Sequence, residues 1–338
     1  MTAVFVLTTR GLEDVAAAEL GRLAVVGSVG YRRVTATVAG DLSALLSLRT
    51  VDDLFIDCAT WAGIARPRAV LATVRQLAGR LDLRATVTAL RAVRALPPSP
   101  SFTVTASFVG KRNYSGEEIR AAVSSGIAER SGWNHVETDD EADLNVRVFI
   151  EHEIAYVGVR VAADPLHERT YLGTHRPGSL RPSIAASMLE LAEVRPGMRV
   201  LDPCCGVGTI AIEAALAGAR ATAGDLDGDA ISAARTHARS AGASVSSARW
   251  DARILPLAAA SMERVVCNLP WDRQVGVDGA LPDFHRRVGP AIARCVAPGG
   301  RLAVLTIDID SLVFPGFTRV STREISVSGQ RPVIAVYA

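Results

Sequence analysis

The alternation of apolar and polar positions divides the 338 residues into three stretches. Residues 1–60 set β-type runs at Val4–Thr8, Arg33–Val38 and Phe55–Cys58 around 3.6-residue periodicity at Leu12–Leu23 and Leu42–Leu48, which predicts a small α+β module. Residues 61–165 predict a second α+β unit. It has a helix near 67–79, strands Thr86–Leu90 and Phe102–Phe108 flanking the break Leu96-Pro97-Pro98-Ser99-Pro100, and a helix from Gly116 to Glu129. The runs Asp143–Ile150 and Ile154–Val161 then form a hairpin. Residues 166–182 are polar and interrupted by Pro and Gly, as expected of a linker.

From Ser183 onward the pattern alternates strictly. Strands are predicted near 199–202, 221–225, 245–250, 263–267 and 301–307, with helices at 184–193, 208–218, 228–241 and 283–297. Such alternation specifies an α/β fold with a doubly wound, Rossmann-like parallel sheet, whose ligands bind at the carboxyl ends of the strands. The tail, Phe317–Ser326 and Pro332–Tyr337, has no helix between its two runs and fits an antiparallel pair closing one edge.

Composition narrows the class only modestly. No uncharged apolar stretch reaches membrane-spanning length, and the N-terminus reads as a strand entering an acidic helix start, so a cytoplasmic protein without a membrane partner is expected. The five cysteines (Cys58, Cys204, Cys205, Cys267 and Cys295) include no CxxC pair, which argues against a disulfide framework or a metal site. A net charge of +2 hides an asymmetry: residues 61–135 carry eleven basic and four acidic side chains, residues 136–170 three and nine. A basic segment of this kind suits a phosphate-bearing partner, although an ordinary solvated face has the same composition.

Two segments carry the chemistry. Asp202-Pro203-Cys204-Cys205-Gly206-Val207-Gly208-Thr209 follows an apolar strand and opens a helix. Gly206 and Gly208 allow close backbone approach, and Thr209 starts the helix. The third glycine of a dinucleotide fingerprint is absent, and Asp202 would repel a pyrophosphate while suiting an ammonium and a sulfonium. Asp225, with Asp227 as its competitor, ends the second strand where a carboxylate can accept ribose hydroxyls. Asp251 ends the third, placed for an exocyclic adenine amine, and Leu226 and Ala252 follow these two acids to complete the set. Three carboxylates at successive strand ends favour S-adenosylmethionine over NAD. Cys204, Cys205 and Cys267 read as small buried fillers.

The second segment, Asn268-Leu269-Pro270-Trp271, ends the fourth strand. The Asn268 side-chain carbonyl and the Leu269 backbone carbonyl can accept both N–H groups of an aromatic amine and turn its lone pair to a methyl donor. Pro270 holds the turn, and Trp271 offers a stacking face for an extruded base. In the middle unit, Lys111, Arg112, Asn113 and Tyr114 form a basic–aromatic cluster for RNA, with Arg91 and Arg94 as weaker candidates.

Together these segments, with Thr9–Leu20, the basic middle unit, His175-Arg176-Pro177-Gly178-Ser179-Leu180-Arg181-Pro182 and Arg195–Pro203, make the chain resemble the THUMP-containing tRNA (guanine-N2)-methyltransferases. The resemblance implies a ferredoxin-like module over 1–60, a THUMP domain over 61–165 that holds tRNA, and a Rossmann-like methyltransferase over 183–338. It further implies an S-adenosylmethionine-dependent monomer that methylates a guanosine in the acceptor stem. An amino-methyltransferase for rRNA or DNA, and a catalytically silent RNA-binding homologue, stay open beside it. Cys204-Cys205 stands where the family commonly has Phe-Thr, and Leu269 and Asp272 depart from its Pro-Pro-aromatic-Gly continuation, with Arg273 placed to neutralise Asp272.

Overall fold

In the computed structural model, which describes residues 1–173, 179–271, 280–327 and 329–338, the strands expected of two separate N-terminal modules join one seven-stranded sheet. Its elements are β1 (Thr2–Leu7), α1 (Glu13–Leu20), β2 (Val25–Gly30), β3 (Arg33–Val38), β4 (Asp53–Trp61), α2 (Val70–Ala78), α3 (Leu83–Leu90), β5 (Phe102–Phe108), α4 (Gly116–Ser131), β6 (Leu144–Glu151) and β7 (Ile154–Arg160). The strand order is β2-β3-β1-β4-β7-β6-β5. The seam is the antiparallel pairing of β4 with β7, from Phe55 opposite Arg160 to Trp61 opposite Ala155, so a division at residue 60 falls inside a strand. A buried ion pair sits on that seam: Arg160 Nε donates to Asp53 at 2.8 Å and its Nη1 to Asp139 at 2.5 Å. Removing one member of such a pair leaves an uncompensated buried charge, which is far costlier than losing a surface pair.

Three local expectations change. Thr86–Leu90 is helical within α3, not a strand, despite its β-branched residues. Asp82 caps the helix by accepting from the Ala85 N–H, and Leu83, Val87 and Leu90 are buried at helical spacing. Burial overrides β-propensity here. Leu42–Leu48 contains only a 3₁₀ turn, Ser43–Ser47. The unanticipated β2 lies at the sheet edge with Val25 and Val29 exposed, so it carries no in–out pattern to read.

The second compact unit comprises His167–Ala338 together with Thr9–Ala16. It contains α5 (Pro182–Leu191), β8 (Arg199–Asp202), α6 (Thr209–Leu216), β9 (Arg220–Asp225), α7 (Gly228–Ser240), β10 (Val245–Arg249), β11 (Met262–Asn268), α8 (Leu281–Cys295), β12 (Val296–Thr306), β13 (Arg319–Glu324) and β14 (Val333–Tyr337). The order β10-β9-β8-β11-β12-β14-β13 is parallel from β10 to β12, and the tail adds the antiparallel pair at one edge. The expected linker is anchored before residue 174. Tyr171 is buried against Ile212 and Ala238, and its hydroxyl donates to the buried Glu213 at 2.7 Å, where Arg169 also donates at 3.2 Å. His175, Arg176, Pro177 and Gly178 lie outside the described residues.

The Thr9–Ala16 segment belongs to this unit through its side chains as well. Leu12 and Val15 are buried in one apolar cluster with Ile184, Val200 and Ile334. Arg323 donates to the Gly11 carbonyl at 3.0 Å and pairs with Asp14, and the Ser326 N–H donates to the Arg10 carbonyl at 3.3 Å. Gly11 is held at φ +92°, where a Cβ would stand 2.2 Å from the Glu324 carbonyl oxygen. Replacing Gly11 with Ala combines left-handed strain with that collision. The expected cost is at least about 2 kcal/mol, or roughly 4–8 °C in the melting of this unit. Differential scanning calorimetry checks it; an unchanged Tm would detach this segment from the fold.

Candidate active site

β8 ends at Asp202, and the chain must turn into α6 by Thr209. Gly206 and Gly208 make this possible at φ +51° and +89°. Their roles differ. A Cβ on Gly208 would meet Ala234 of α7 at 2.9 Å, so that glycine lets two helices close together, whereas a Cβ on Gly206 would project into open space, where a ligand can approach the backbone.

The turn is fastened to the neighbouring strand. Cys205 N–H donates to the Gly224 carbonyl at 2.9 Å and Gly206 N–H to Asp225 Oδ2 at 2.8 Å. From α7, the buried His237 lies with Nδ1 3.2 Å from the Val207 carbonyl, which requires the proton on that nitrogen.

Asp202 is 1% exposed, and its Oδ1 is buried with no hydrogen-bond partner among the described residues. Burial, reinforced by the Asp225 charge, pushes its carboxyl well above the usual carboxylate range, against relief from the Cys204 N–H. The Thr209 hydroxyl is a second buried polar group with no partner among the described residues. An orphaned acid, an orphaned hydroxyl and an open glycine backbone at one strand end fit a ligand bearing an ammonium and a sulfonium. The thiols of Cys205 and Cys267 are also pushed well up, first by burial and then by their neighbours, Asp202 among them, consistent with filler rather than reactive roles.

The remaining acids separate cleanly. Asp225 uses one oxygen on Gly206 and the other on the Asp227 N–H at 3.0 Å, which orients the carboxylate and leaves lone pairs on both oxygens. Asp227 caps α7 by accepting from the Asp229 N–H at 2.8 Å. Leu226 is exposed and Ala252 buried. Asp251 is gripped by Arg253, whose Nε lies 2.9 Å from both oxygens and whose Nη2 lies 2.8 Å from Oδ2. Hydrogen bonding to Arg253 holds the Asp251 carboxyl below the usual range, so it stays ionised.

β11 lies beside β8 in the sheet, so Asn268 ends the strand adjacent to the one ending at Asp202. Leu269 is buried with its N–H on the Leu305 carbonyl at 3.1 Å. Trp271 is partly buried against the core cluster containing Cys205 and Val266, and its indole N–H has no partner among the described residues. Asp272 and Arg273 lie outside the described residues.

The middle-unit cluster is reassigned in part. Arg112 donates to the Ile64 carbonyl at 2.6 Å and to the His152 carbonyl, and the buried Tyr114 gives its hydroxyl to Ala65 at 3.0 Å. Tyr114 therefore cannot stack on a base, and Arg112 is engaged by the fold; Lys111 and Asn113 remain exposed. Arg91 donates to the Pro97 carbonyl at 2.8 Å and Arg94 to the Val161 carbonyl at 3.2 Å. Sequence reading missed Trp250, Arg253 and His237. Only Arg253 had a local signal, a cation two residues after an acid.

Comparison with known proteins gives concordant matches. A family model described as an RMKL-like methyltransferase domain matches residues 169–315, and one for the THUMP domain matches residues 81–160. The tRNA (guanine(6)-N2)-methyltransferase of Thermus thermophilus is 33% identical over 259 residues, 73% of this chain and 76% of that protein. A mouse tRNA (guanine(6)-N(2))-methyltransferase, THUMP3, is 27% identical over 63% of this chain and 45% of its own length. The crystal structure of TrmN from Thermus thermophilus superposes with a TM-score of 0.82 at 28% identity, covering 100% of this chain and 99% of that one. SMU.472, solved in complex with SAH, shares the fold at a TM-score of 0.78 and 17% identity, over 99% and 97% of the two chains.

The buried acid yields a signed expectation. A cation favours ionised Asp202, so S-adenosylmethionine binding should release protons and weaken as pH falls through the raised pKa of the free protein. Calorimetry in buffers of different ionisation enthalpy measures the release, which Asp202→Asn should abolish. Equal proton release by the variant would take the role from Asp202.

Proposed function

The chain belongs to the THUMP-containing tRNA (guanine-N2)-methyltransferases, and on that premise we propose that it transfers a methyl group from S-adenosylmethionine to the N2 amine of a guanosine in the tRNA acceptor stem. The observation that carries this reading is the adjacency of two strand ends: Asp202 with its glycine turn on β8, and Asn268-Leu269-Pro270-Trp271 on β11. The cofactor supplies an electrophilic methyl group on sulfur. Asp202, the Gly206 backbone and Thr209 hold its charged end, Asp225 its ribose, and Asp251 with Leu226 and Ala252 its adenine.

The chain's own contribution to chemistry is positioning. A guanine N2 lone pair is delocalised into the ring, so the amine attacks well only when its hydrogens are held and its lone pair aimed. The Asn268 and Leu269 carbonyl groups accept those two hydrogens and favour the positive charge that develops on nitrogen. The Leu269 peptide is itself anchored by its N–H on Leu305, and Pro270 restricts the following turn. Trp271 supplies a face for the base. In this reading the protein works as a cytoplasmic monomer.

Incubation with radiolabelled S-adenosylmethionine and unmodified tRNA should place label in N2-methylguanosine at one site. Label confined to rRNA or DNA would overturn the substrate. Asn268→Ala should lower kcat by about 10²–10³-fold while cofactor Kd changes little; retained turnover would remove the residue from the acceptor site. For the RNA-holding surface, Lys111→Ala should weaken tRNA binding uniformly and reduce the slope of log affinity against log salt by about one. An unaltered slope in filter-binding titrations would move that surface elsewhere.

A further inference from the structure

We propose that Trp250 is a positioning residue of the cofactor cradle: its indole N–H fixes the Pro203–Cys204 peptide and thereby turns the Cys204 N–H onto the Asp202 carboxylate. The inference rests on the reading that Asp202 receives the cationic end of the cofactor.

Trp250 follows β10 directly, and its own N–H donates to the Asp225 carbonyl at 3.0 Å. That anchor sends the side chain back across β9. The buried indole lies on Gly224, where a Cβ would stand 1.9 Å from Cε2, so the ring occupies space that any side chain at 224 would fill. Beside that contact, Nε1, the ring atom bonded to Cε2, donates to the Pro203 carbonyl at 3.0 Å.

In a trans peptide the C=O and the following N–H point in opposite directions. Holding the Pro203 oxygen towards Trp250 therefore aims the Cys204 N–H away from it, on the side of the Asp202 carboxyl, whose pKa it lowers. A hydrogen bond to the carbonyl polarises its peptide, so the indole strengthens the N–H dipole at the other end. Asp202 needs that support. Among the described residues, the groups acting on it are Asp225 from β9, Cys204 and Cys205 in the turn, and Cys267 from β11. Of these, Asp225 alone carries charge in its ordinary state, and its sign is repulsive. The polarised Cys204 N–H is what favours the ionised acid before a cation arrives.

Losing the indole N–H should therefore change two properties together. In Trp250→Phe, which keeps an aromatic ring over Gly224, cofactor Kd near neutral pH should rise about fivefold. The midpoint of the affinity–pH profile should also move upward, because ionised Asp202 loses support. The kcat at saturating cofactor should stay within about twofold. Incorporating 3-benzothienylalanine at position 250 of the full chain replaces the N–H by sulfur at nearly constant shape, and should reproduce both changes even if the Phe variant folds poorly. Equilibrium dialysis of labelled S-adenosylmethionine across pH reads both. Unchanged affinity in both variants, or weakened affinity with an unmoved midpoint, would reduce Trp250 to packing and overturn the proposal. A wild-type profile with no dependence on Asp202, as judged against Asp202→Asn, would instead overturn the cradle reading beneath it.

Discussion

A carboxyl group buried at the end of an interior strand constrains everything around the cofactor cradle. Moving an acid out of water costs several kcal/mol unless partners replace the lost solvation, and a second carboxylate nearby raises that cost further. Asp202 has both disadvantages and, among the described residues, one backbone donor in compensation. In the reading proposed above, a positive ligand rather than the protein completes the arrangement. The surrounding features follow from keeping the acid there: the turn rises over it on Gly206, Asp225 fastens that turn, and Gly224 leaves room for the indole that orients the nearest peptide.

Sheet topology then determines what can lie next to the cradle. β8 sits between β9 and β11, so its end has one neighbour bearing Asp225 and another bearing Asn268. In a parallel sheet these ends all open on the same face. The acid proposed to hold ribose and the amide proposed to hold the amine therefore flank Asp202 without any long-range fitting of loops. A fold that places three functional strand ends side by side needs only local turns, Gly206–Gly208 and Leu269–Pro270, to finish both halves of the site.

The residues proposed to carry the chemistry are legible in the sequence itself. Strand-end acids, a two-glycine turn and an Asn-x-Pro-aromatic tetrapeptide declare themselves because their partners lie in the same segment or in a ligand. Roles set by distant partners are not. Trp250 meets Pro203 across 47 positions, and Arg112 and Tyr114 meet Ile64 and Ala65 across 48 and 49. Asp225 fastens the glycine turn across 19 positions, while Asp227 caps α7 locally, a division that two acids at one strand end do not announce. The same limit explains Thr86–Leu90, whose β-branched residues advertise a strand while burial along one face makes a helix.

The reassignment of Arg112 and Tyr114 also changes how RNA recognition is divided. With the ring buried and the guanidinium on backbone carbonyls, the cluster offers the ammonium of Lys111 and the amide of Asn113. Lys111 is the single lysine among 37 basic residues, a flexible point charge where arginine would have offered a planar fork. In the proposed reading such a pair engages phosphate and sugar oxygens, contacts that position an RNA without reading its bases. Base choice then falls to the groups at the end of β11, where Asn268 and the Leu269 carbonyl demand two N–H hydrogens from one exocyclic amine. On that reading, affinity and selectivity reside on different parts of the chain.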